Sequence, residues 1–164
     1  MRRGLILTAV TALVLAAPAA AELPRAGTLV PGRSLGGVRL GESPRAVTAA
    51  LGRFHGACRD CVSRTWYFTY LPFDKHGLAV EFTGGRVSGV YTLWRPAGWH
   101  APHKLGFGSS VLAVHRRTGA SRTITCTDYE ALVQDSAHAR TAYYLLNGRL
   151  WGFGLFRRGA SPCR

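Results

Sequence analysis

Lysine is nearly absent from this chain: Lys75 and Lys104 are the only two. Carboxylates are scarce as well, with 8 Asp and Glu against 21 Lys and Arg in 164 residues. Asp74, Glu81, Asp128, Glu130 and Asp135 form no paired acid motif, which removes the signature of glycoside hydrolysis. No G-x-S-x-G occurs. The nearest approach, "GFGSS" (Gly106 to Ser110), lacks the nucleophile-elbow spacing. Six histidines are present (His55, His76, His100, His103, His115, His138), but no second pair stands beside His100 and His103 to close a metal site. No metal or other cofactor is therefore expected, and no catalytic constellation is recognisable. Like charges never run to five, and no nucleic-acid module is present, so no specific nucleic-acid partner is expected. Beyond residue 21 no apolar stretch is long enough to span a bilayer.

What is there begins with an export signal. Arg2 and Arg3 precede an uncharged apolar run from Leu5 to Ala17, Pro18 breaks it, and Ala19-Ala20-Ala21 offers a cleavage site before Glu22. Residues 1–21 read as a secretory signal peptide and the product as secreted or extracytoplasmic. No cysteine precedes Cys58, so none is placed for a lipid anchor. Without Arg2 and Arg3 the chain keeps 19 basic and 8 acidic side chains, about +11 net. Such a charge favours solubility and acidic partners, including anionic envelope polymers. The Ala- and Arg-rich, Lys-poor composition is that of a GC-rich bacterial source.

Four cysteines in an exported chain imply disulfides, with three possible connectivities. The expected pairs are Cys58–Cys61 and Cys126–Cys163, one in each half. "CRDC" (Cys58 to Cys61) also invites a thiol-redox reading. That chemistry wants a thiolate favoured by a helix N-terminus. Here a strand follows, and Asp60 opposes the help of Arg59.

The chain repeats itself. "LGESPRAVTAALG" (Leu40 to Gly52) and "FGSSVLAVHRRTG" (Phe107 to Gly119) share five of thirteen positions at an offset of 67. Each reads as a short helix, with Ser43 or Ser110 as N-cap and Gly52 or Gly119 as terminator. Strand patterns follow in each half. "GGRVSG" (Gly84 to Gly89) and "NGRLWG" (Asn147 to Gly152), 63 apart, carry two-residue hairpin turns at Gly84-Gly85 and Asn147-Gly148. The expected fold is α+β: two tandem repeats, each a short helix or helix pair on one face of an antiparallel β-meander. The expected bounds are an irregular tail over 22–34, repeat 1 over 35–94, a linker over 95–102 and repeat 2 over 103–164.

This pattern resembles the tandem repeat of the secreted beta-lactamase-inhibitor proteins, and is similar to the single-unit fold of the BamE/SmpA envelope proteins. Leu40, Gly41, Ser43, Val47, Leu51 and Gly52 carry the resemblance, with Gly108, Ser110, Val114 and Gly119 in the second copy. It implies a sheet face that binds another protein.

Alternation along the strands then sorts side chains between the faces. Val80, Phe82, Val87, Tyr91 and Leu93 are expected on the helix side, as are Tyr143, Leu145, Leu150 and Phe156. Tyr144, Trp151, Phe153, Trp94 and Glu81 are expected on the helix-free face. Aromatic residues there are binding anchors by type. The leading expectation is an exported, non-enzymatic protein-binding module using these five residues, its partner an unidentified protein. The alternatives are a basic envelope-associated protein that binds anionic polymer or lipid, and a thiol-redox protein acting through Cys58 and Cys61.

Overall fold

A computed structural model describes residues 27–58, 61–69, 77–95 and 98–164. The signal-peptide reading over 1–21 lies outside the described residues. Two helices of eight residues each are set among twelve strands in the described residues.

In chain order the elements are β1 (Gly27–Val30), β2 (Ser34–Leu35), α1 (Pro44–Leu51), β3 (Gly56–Cys58), β4 (Arg64–Thr69), β5 (Gly77–Thr83) and β6 (Arg86–Leu93). The second half supplies β7 (Trp99–Ala101), β8 (Leu105–Gly106), α2 (Val111–Thr118), β9 (Arg122–Thr125), β10 (Glu130–Asp135), β11 (Ala139–Leu146) and β12 (Arg149–Arg157). They form one eight-stranded sheet in the order β3-β4-β5-β6-β12-β11-β10-β9 and one four-stranded sheet in the order β2-β1-β7-β8. Both orders read as one half of the chain mirrored by the other.

The fold is thus mainly β, which corrects the α+β expectation of two helix-on-meander repeats. The two meanders do not stay separate: β6 and β12 pair antiparallel, with Tyr91 opposite Gly154 and Gly89 opposite Phe156. Two exposed edges vanish in that joint. A second sheet then forms, in part from the presumed tail and linker. β1 arises in the presumed tail and pairs in parallel with β7, which arises in the presumed linker. These strands are only two to four residues long, too short for periodicity to reveal.

Local agreement between the halves is close. Ser43 Oγ accepts the Ala46 N–H at 3.4 Å, and Ser110 Oγ accepts the Ala113 N–H at 3.3 Å. Gly41 N–H donates to the Val87 carbonyl at 2.8 Å, and Gly108 N–H to the Leu150 carbonyl at 2.7 Å. Arg86 reaches the Gly41 carbonyl and Arg149 the Gly108 carbonyl, at 3.5 and 3.3 Å. The twice-written turn and arginine therefore have one local job: each hairpin is tied to the segment leading into its helix.

One face of the large sheet packs on α1, α2 and the small sheet. Its core joins Val47, Leu51 and Val114 of the helices, Leu29, Trp99 and Leu105 of the small sheet, and Val80, Phe82, Val87 and Leu150 of the large one. The opposite face carries a second apolar cluster that contains no helical residue.

Candidate functional site

That helix-free face holds the candidate site, and two β-bulges decide what points into it. Phe82 pairs with Val87 but Glu81 pairs with Gly89, so Ser88 is an extra residue. Leu145 pairs with Leu150 but Tyr144 pairs with Gly152, so Trp151 is the extra residue of the second hairpin. One inserted residue reverses the facing of everything beyond it. Tyr91 and Phe156, expected in the helix-side core, belong to the helix-free cluster, with Leu93 packed against it. Phe153, expected on the helix-free face, is fully buried on the other side and stacks on Phe107 at 5.2 Å between ring centroids.

Gly89 and Gly152 close the two quoted stretches for a reason of space. A Cβ on Gly89 would lie 2.8 Å from Phe156 Cδ1, and one on Gly152 would lie 2.9 Å from Tyr144 Cδ2. A glycine inside a strand pattern is the signal that announces such a bulge.

The other four residues expected on the helix-free face do sit there. Tyr144 stacks on Trp151 at 5.4 Å between centroids, Tyr129 meets both rings edge-on, and Trp94 tilts against Trp151 at 5.7 Å. Tyr144 is nonetheless 1% exposed and Glu81 8%. Both are covered by the chain itself. After β12 the C-terminal tail folds back across the second half of the face. Its Ala160 carbonyl accepts from Arg140 at 2.6 Å, its Pro162 carbonyl accepts from the Tyr144 hydroxyl at 2.9 Å, and Cys163 is joined to Cys126.

Arg164 extends that strap into the first half. Its guanidinium lies over the rings of Phe156 and Tyr91, 4.5 and 5.7 Å from their centroids, and forks onto Glu81. Its backbone N–H donates to the Tyr129 hydroxyl at 2.7 Å. Composition could not single out Arg164 among so many arginines. The one signal was its place next to Cys163.

Beside Arg164 the face holds a groove of about 380 Å³. Its walls include Val62, Tyr67, Glu81, Tyr91 and Arg164, and Cys61 stands at its rim. Burial pushes the Tyr91 hydroxyl far above the ordinary tyrosine range, the Glu81 carboxylate adds to that, and Arg164 opposes it. Tyr91 therefore offers a neutral hydroxyl beside a charge-paired carboxylate.

Cys58–Cys61 and Cys126–Cys163 are both bonded, with S–S distances of 2.03 Å. No described cysteine is free. Disulfides that persist belong to an oxidising, extracytoplasmic compartment. Neither Cys58 nor Cys61 opens a helix: Cys58 ends β3, and Cys61 precedes β4. Ser110 of "GFGSS" is occupied as a helix cap. Among the described residues no helix is long and apolar enough to cross a membrane.

No protein-family model and no curated protein matches the chain. Among solved structures it is similar to an extracellular protein containing an SCP domain from Bacillus anthracis str. Ames, determined at 1.5 Å resolution. The TM-score is 0.52 at 10% identity, over 73% of this chain and 44% of that one. The chain thus spans under half the length of the protein it matches, and the likeness is one of fold. It does not bear on the resemblance to the beta-lactamase-inhibitor and BamE/SmpA proteins.

Proposed function

We propose that this chain is an exported, non-enzymatic protein-binding module, released by cleavage after Ala21. Its partner engages the open part of the helix-free face, from the Tyr67–Tyr91 groove to the Trp94–Trp151 pair. One observation carries this reading. Trp94 is 48% exposed and holds a left-handed backbone, φ 54°, that a bulky residue rarely adopts. Such a conformation costs about 1–3 kcal/mol and persists where the surroundings or a function require it. Here it presents a large ring against half-buried Trp151, the geometry of a binding anchor. Relative to the sequence expectation the surface is smaller. Tyr144 acts as its buried support, Phe153 lies on the opposite face and is no part of it, and Glu81 acts through Arg164.

The test is capture of partners from envelope and culture-medium extracts by the mature protein, with Trp94→Ala, Trp151→Ala and Arg116→Gln/Arg117→Gln in parallel. A partner that survives high salt and the double arginine change, but is lost with Trp94→Ala, is the expected outcome. Trp94→Ala should weaken it by at least about 2 kcal/mol if the ring is an anchor. Capture indifferent to both tryptophans and abolished by salt would overturn the reading.

A further inference from the structure

A second cavity lies on the opposite side of the molecule's large sheet, toward the small one. It is about 280 Å³ and is lined by Gly32, Arg33, Arg39, Leu40, His138 and Ala139. Three separate segments build it: the β1–β2 turn, the approach to α1 and the β10–β11 turn. Each contributes a cationic or potentially cationic side chain, and all three of these residues are exposed.

Among the described residues, two neighbouring carboxylates already have partners. Asp135 at the end of β10 is held by Arg122 and Arg140, at 2.7 Å each. Glu42 spends a carboxylate oxygen on the Arg39 backbone N–H at 3.1 Å. Among the described residues neither Arg33 nor Arg39 forms an ion pair with a carboxylate. The flanking residues Arg157 and Arg158 add positive charge, Arg158 being tied through its N–H to the His138 carbonyl at 3.2 Å. Folding alone gives no reason to converge like charges on one cavity, since their repulsion opposes the compact state.

We propose that this cavity binds a phosphate-class oxyanion. Two guanidinium forks each match a pair of phosphate oxygens, and the His138 ring can serve a further one. A carboxylate would satisfy one fork and leave the other unanswered. The Gly32 N–H is already given to Thr141 Oγ1 at 2.9 Å, so the anion's partners are side chains. The site is independent of the protein-binding face and turns diffuse positive charge into a defined contact with a phosphate group, whether on a soluble phosphoester or a lipid headgroup.

The experiment is an NMR titration of the mature protein with inorganic phosphate at low salt, following the Gly32 and Ala139 amides and the His138 ring. Saturable shifts at all three are expected. Arg33→Gln/Arg39→Gln should weaken binding at least about tenfold, the loss of one charged hydrogen bond or more. Arg116→Gln/Arg117→Gln, an equal change of charge on α2, should leave it unchanged. The same spectra report whether each variant is folded. Glycerol phosphate and phosphatidylglycerol vesicles form two further arms. Vesicle binding lost in the Arg33/Arg39 pair assigns the phosphate to a lipid headgroup, and glycerol phosphate binding without vesicle binding assigns it to a soluble phosphoester. Equal weakening by both arginine pairs, or shifts that never saturate, would overturn the proposal.

Discussion

Glu81 and Tyr144 occupy equivalent places 63 residues apart, each on the first strand of its hairpin and opposite the bulge in the second. One is a carboxylate and the other an aromatic ring, yet both are buried on the same face. What lies above them differs. Pro162 of the strap covers Tyr144 and accepts its hydroxyl, while the Arg164 guanidinium covers Glu81. The second half is roofed by apolar and backbone atoms, so its face is aromatic. Among the described residues the first half is met by the Arg164 guanidinium, which pairs with Glu81 beside Tyr67, Tyr91 and the groove. Two halves of similar backbone thus divide the labour, one anchoring the strap and the other remaining accessible.

The sharpest way to break this comparison is to truncate both members of the pair. Tyr144→Ala should cost about 3–5 kcal/mol, the range for emptying a large aromatic site in a core. Glu81→Ala should cost about 1–2 kcal/mol, because Arg164 can turn back to water. Urea unfolding of both variants measures the gap, and equal losses would mean that the two halves are roofed alike.

The two disulfides extend the contrast. Cys126–Cys163 has a sequence separation of 37 and Cys58–Cys61 one of 3. On the chain-entropy estimate, replacing the first pair by serine should cost about 4 kcal/mol and replacing the second about 2. Only the first should also expose Tyr144 and Phe156, which dye binding and tyrosine fluorescence would register. Next in size are the bulge glycines. Gly152→Ala drives a methyl into Tyr144 and Gly89→Ala drives one into Phe156, and each should lose about 1–3 kcal/mol by overpacking. Thermal melts of the two variants should therefore shift alike, since both rings lie under the same strap.

The mildest effect appears only in alkali. Burial raises the hydroxyl pKa values of Tyr91, Tyr129 and Tyr144 above the ordinary value of 10. A group whose folded pKa is raised stabilises the fold fully below its unfolded pKa and loses that contribution as pH rises toward the folded one. Stability should be flat through neutral pH and fall above pH 10. Tyrosinate absorbance should then rise together with unfolding. A rise accounting for all six tyrosines in a protein that stays folded would show that these rings are wetter than described.

Much of the local structure was legible. The Ser43 and Ser110 caps and the Gly84-Gly85 and Asn147-Gly148 turns each depend on residues close in sequence. The facing of side chains was legible only as far as the bulges. Strict alternation placed Tyr91 and Phe156 in one core and Phe153 outside it, and a single extra residue per hairpin reversed all three. Gly89 and Gly152 carried that information, because a glycine in a strand pattern marks a bulge or a close approach. The small sheet had no such signal: its strands are stabilised by the parallel pairing of β1 with β7, whose paired residues Gly27 and Trp99 are 72 positions apart.

By itself, then, the sequence determined the turns, the caps and the charge, because each follows from residue types and the chemistry of a few neighbours, while it left three disulfide connectivities open. Only the tertiary structure decided that two meanders merge into one sheet and that a disulfide-pinned tail buries half of the aromatic face. It also brought Arg33, Arg39 and His138 around one cavity. Those outcomes depend on which distant segments pair, and backbone hydrogen bonds between distant strands are not written in any local pattern.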